Sequence, residues 1–120
     1  MPFPIASGIY SNVTESEETG DRGGVEFRFY GNANPAYVEA VVCEAECTGE
    51  GRYYVRPAAN GFTFSWKSPR YPDETPIEFV VTKKNNGYWI EGKNGQWGRS
   101  KLKLLKKPFG LLGVYKWAKP

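Results

Sequence analysis

Histidine is absent from this chain of 120 residues, and methionine occurs once. Without imidazole, neither a Ser–His–Asp nor a Cys–His nucleophile can be assembled, nor an ordinary zinc site, so an enzyme would have to work with carboxylates, tyrosine or lysine. No apolar run approaches the roughly 20 residues that a membrane-spanning helix needs. The start, MPFPIASG, lacks the charged and apolar regions of a signal peptide, although a chain whose export signal had been removed would look the same. Convincing helical periodicity is missing as well, and so is any internal repeat.

What is present suits short strands. Aromatic residues make up 16% of the chain, with 14 glycines and 9 prolines, a mixture that favours strands joined by turns. Val25, Phe27 and Phe29 alternate with Glu26, Arg28 and Tyr30; Val38, Ala40 and Val42 alternate with Tyr37, Glu39 and Val41; Phe62, Phe64 and Trp66 alternate with Thr63, Ser65 and Lys67. This is the period of a half-buried strand. Asn86-Gly87 and Asn94-Gly95 carry the signature of tight hairpin turns, which makes the segments around Tyr88–Glu91 and Gln96–Arg99 antiparallel neighbours. The expectation is one all-β domain over 1–120: a single antiparallel up-and-down β-barrel of about eight strands, closed because closure removes exposed edges. The glycine-broken tail 108–120 is expected to pack on a barrel end or against a partner. Pro108 and Gly110 interrupt any membrane-surface helix there, so membrane contact is not expected.

Charge is unevenly spread. Residues 1–82 hold 6 basic and 12 acidic side chains, whereas residues 83–120 hold 10 basic and 1 acidic. In the basic part, Tyr88, Trp89 and Trp97 are interleaved with Lys83, Lys84, Lys93 and Arg99, and with Lys101 and Lys103 beyond them. Rings that stack and cations that hold anions make these four leading cations an anion-binding candidate. The same pattern also describes an amphipathic hairpin with its rings turned inward and its lysines in solvent.

Two further features invite a chemical reading. Glu15, Glu17, Glu18 and Asp21 cluster in one loop, but they lack the spacing of a calcium loop and sit among Ser16, Thr19, Gly20 and Arg22, which argues for a solvated connection. Cys43 and Cys47 would lie about 13 Å apart in an extended strand, too far for a disulfide. A turn at residues 44–46 would allow the bridge, leaving a disulfide, two free thiols and a metal site as alternatives. A disulfide would favour an oxidising compartment. Neither a cofactor nor a bound metal is expected.

SGIYSNV at residues 7–13 resembles the opening strand of the calycin barrels, the lipocalin and avidin-like group. The longer run through EETGD and EFRF resembles an uncharacterised family of small bacterial proteins over about the first 30 residues. The resemblance implies a calycin-like barrel and export to the periplasm or cell envelope, without implying an activity. Lipocalins set an arginine from the last strand over a first-strand tryptophan; here the matching pair would be Arg99 or Lys101 against Tyr10. Tyr10, Phe27, Phe64, Trp66, Phe79, Trp89 and Trp97 are therefore expected to line or fill the interior. The functional expectation is a binding protein, not an enzyme, with a small apolar molecule in the barrel. The alternatives are binding of an anionic polymer (single-stranded nucleic acid or envelope glycan) and an exported protein-interaction or inhibitor protein.

Overall fold

Inward-facing rings, one from every second residue, are what this chain folds around. The computed structural model describes residues 3–47, 51–69, 71, 73–85 and 87–106, the side chains of Ala45 and Glu46 excepted. Ten strand segments are present among them: β1 Gly8–Ser11, β2 Thr14–Glu15, β3 Arg22–Tyr30, β4 Tyr37–Cys47, β5 Gly51–Tyr54, β6 Arg56–Ala58, β7 Gly61–Trp66, β8 Ile77–Lys84, β9 Gly87–Gly92 and β10 Trp97–Leu105. The tail 108–120 lies outside the described residues.

All pairings are antiparallel, in the order β5-β4-β3-β1-β10-β9-β8-β7-β6. First and last strands meet, with Tyr10 opposite Leu104, and the sheet curls into a nearly closed barrel. Ten segments replace the expected eight staves for two reasons. β2 is a two-residue ladder on β3, and β5 and β6 are the halves of one strand that bends at Val55. Its first half pairs with β4 and its second with β7.

Register turns alternation into a core. Tyr10, Phe27 and Ala40 are mutually opposite on β1, β3 and β4, as are Phe62, Val81 and Ile90 on β7, β8 and β9, and all six are fully buried. A continuous line of ring contacts runs through the interior: Phe3–Phe29 at 5.4 Å, Phe29–Phe62 at 4.4 Å, Phe62–Phe64 at 6.4 Å, Phe64–Phe79 at 5.4 Å and Phe79–Trp97 at 5.4 Å. Burying each such side chain contributes about 1.5–3 kcal/mol. Phe3 and Ile5, from the segment before β1, join this core.

Turn chemistry follows the asparagines. The β8–β9 hairpin pairs Lys84 with Gly87, so it turns one residue earlier than the Asn-Gly pair implies, with Asn85 at φ 52°. At the β9–β10 connection Asn94 and Gly95 both have positive φ, 58° and 76°, as a tight reversal requires. Gly61 is a glycine for a different reason. A Cβ there would lie 1.8 Å from the Val81 carbonyl oxygen.

Candidate binding surfaces

The residues expected inside are mostly there. Tyr10, Phe27, Phe64, Trp66 and Phe79 are buried in the core, and the half-buried Trp97 packs against it. Tyr10 stacks on Phe27 and meets Tyr88 edge-on at 4.9 Å, while its hydroxyl donates to the Ala6 carbonyl at 2.6 Å. Burial, then the neighbouring Tyr88, pushes the Tyr10 phenol well above the ordinary tyrosine range. Trp89 is placed differently. It stands opposite Thr82 and Lys101, one step out of phase with the buried Ile90, and therefore on the outer wall.

On that wall the Arg99 guanidinium lies over the Trp89 ring at 4.8 Å. The predicted pairing of Arg99 or Lys101 with Tyr10 is thus replaced by an external cation–π contact. Alternation along β10 puts Arg99, Lys101 and Lys103 on this face, all three exposed, and Lys84 reaches the same face two residues beyond Thr82. The other two expected cations stand apart. Lys83 is opposite Tyr88, hence on the inward-facing phase at the barrel rim, and Lys93 sits at the far end of β9, 3.5 Å from Glu78. The basic candidate resolves into a compact set of Lys84, Trp89, Arg99, Lys101 and Lys103.

The acidic loop behaves as a solvated connection. Glu15, Glu17, Glu18 and Asp21 are exposed, Arg22 pairs with Glu15 at 2.8 Å, and the turn is held by Gly20 N–H to the Ser16 carbonyl at 2.8 Å. Cys43 and Cys47 form a disulfide with Cα atoms 3.9 Å apart, far less than an extended strand allows, so the end of β4 reverses between them. Cys43 packs with Ile9 and Val41 in a small second cluster on the outer side.

A second surface had no sequence forecast. Tyr30, Tyr37 and Tyr54 stand directly opposite one another on β3, β4 and β5. Tyr30 stacks on Tyr37 at 4.6 Å, and Tyr37 meets Tyr54 edge-on at 6.3 Å. In the adjoining row Arg52 lies over the Tyr37 ring at 4.3 Å, and the Tyr30 hydroxyl donates to Glu39 at 2.6 Å. Where β5 splays away from β7, a cavity of about 290 Å³ opens beside this row. Two shallower hollows, of about 440 and 270 Å³, flank Phe3 at the barrel mouth. Asn12 is structural: its side-chain oxygen accepts the Val25 N–H at 2.7 Å. In comparisons with known proteins, no family model, no curated protein and no solved structure matches the chain.

Proposed function

We propose that this protein is a non-catalytic binding module that holds an anionic polymer, an acidic envelope glycan, along the outer face of β8, β9 and β10. The observation that carries the reading is Arg99 stacked on Trp89, with Lys101 directly across the ladder from the same ring. A ring half open to solvent offers a stacking surface, and the cations around it hold carboxylates or phosphates. The aromatic line through the interior leaves that space to side chains, which favours the outer wall over an internal site. The disulfide supports an oxidising compartment, hence export, and so a glycan in preference to a nucleic acid. Pairing of the first and last strands supports kinship with calycin barrels, with the external Arg99–Trp89 contact as a point of departure. A small apolar ligand is the second reading, supported by the hollow between Phe3 and Val55 at the mouth.

Titration with polygalacturonate at low salt, followed by tryptophan fluorescence, tests the leading reading. Saturable binding that neutral dextran does not reproduce, weakened by Arg99→Gln, is expected. Equal response to dextran would overturn it, and a response to a lipophile alone would favour the mouth.

A further inference from the structure

The cavity at the β5–β7 seam lies on the opposite side of the sheet order from β10, and its walls are chemically sorted. On one wall, Arg52, Tyr54 and Arg56 follow at every second residue. Tyr54 is the most exposed large aromatic among the described residues, at 59%. On the other wall stand Thr63, Ser65 and Glu78, with Ser65 directly opposite Glu78 on the β7–β8 ladder. The cavity exists because the bent strand changes partners at Val55, whose N–H bonds to the Ala36 carbonyl at 3.1 Å. β5 is thereby held to β4 while the second half of β7 goes uncovered.

From this arrangement the geometry points to a binding site for a single acidic sugar unit, a hydroxyl-bearing ring with one carboxylate. The ring of Tyr54 supplies a flat apolar face for the sugar's C–H side. Arg52 and Arg56 flank it with guanidiniums suited to planar, two-pronged recognition of a carboxylate. The Arg52 guanidinium carbon lies 4.3 Å from the Tyr37 ring centroid, a contact that restrains this side chain at the edge of the cavity it lines. Across the cavity, the Thr63 and Ser65 hydroxyls both donate and accept, and Glu78 accepts from sugar hydroxyls. At about 290 Å³ the cavity falls just short of the roughly 300–1,000 Å³ of sites for drug-sized ligands, which limits its occupant to a single ring.

This site is independent of the β8–β10 face, and the experiment keeps the two apart. Amide chemical shifts of the full chain are followed while D-glucuronate, glucose or acetate is added. The expected result is shifts confined to 51–56 and 63–65 with glucuronate, and at least about tenfold weaker response to glucose, the cost of losing a charge-assisted contact. Tyr54→Ala and Arg56→Gln, both at exposed positions, are expected to abolish or weaken these shifts about tenfold, whereas Arg99→Gln leaves them unchanged. Absence of shifts at the seam with glucuronate overturns the proposal. So does an acetate response equal to that of glucuronate, which would mean anion contact at two arginines without a sugar site.

Discussion

Asn12 accepts the Val25 N–H at 2.7 Å through its side-chain oxygen and donates through its amide to the Ser100 hydroxyl, so that one residue ties the end of β1 to both neighbouring strands. Its own N–H also reaches the Val25 carbonyl at 3.1 Å. Gly24 makes room for this: a Cβ there would sit 2.5 Å from the Asn12 side-chain oxygen, at a φ of +119°.

Asn12→Ala leaves part-buried partners unsatisfied and is expected to cost about 1–3 kcal/mol. Asn12→Asp keeps the acceptor toward Val25 while losing the donor toward Ser100, and falls between wild type and alanine. Urea unfolding followed by circular dichroism gives the order directly.

Backbone crowding makes a sharper contrast. Gly61→Ala places a methyl group against the Val81 carbonyl, which forces β7 away from β8 and costs about 1–3 kcal/mol or more. Gly98→Ala meets nothing within 4 Å and is expected to melt within a degree or two of wild type.

Alkaline pH tests the core through its phenols. Burial raises the Tyr10 pKa, with Tyr88 adding to the effect, and burial raises Tyr53. The folded state therefore holds these protons more tightly than the unfolded chain, whose tyrosines titrate near 10. Their contribution is complete below about pH 10 and is lost as pH climbs beyond it. Tyrosinate absorbance from these residues is expected to rise only together with unfolding, and Tyr10→Phe moves the alkaline midpoint upward. Early titration of every tyrosine in a protein that is still folded would contradict this.

The short loop between Cys43 and Cys47 is expected to contribute about 2 kcal/mol on the chain-entropy account. Alkylation without reductant should leave the mass unchanged. Reduction should lower the urea midpoint without abolishing the fold, because the aromatic core is separate.

The barrel was legible because Phe62, Phe64 and Trp66, like Val25, Phe27 and Phe29, repeat with the period of a strand whose two faces differ. Trp89 shows where this stops. A ring among lysines points inward or outward according to its phase, and that phase was set by Ile90 and Tyr88 taking the interior. Alternation also assigns Glu26 to the outer side, yet it is fully buried, since period tells which face a residue takes and not what packs over it. The tyrosine row was invisible for a related reason. Tyr30, Tyr37 and Tyr54 come from three strands, and only the register of β3, β4 and β5 brings them into line.

The most direct test of the central claim is the salt dependence of polygalacturonate binding, compared between the wild-type protein and an Arg99→Gln, Lys101→Gln double variant. The account predicts wild-type affinity that falls steeply and log-linearly as salt is raised from about 50 to 200 mM, and a shallower slope for the variant, because fewer polymer charges are neutralised. Wild-type binding that is indifferent to salt, or a variant slope identical to wild type, would contradict it.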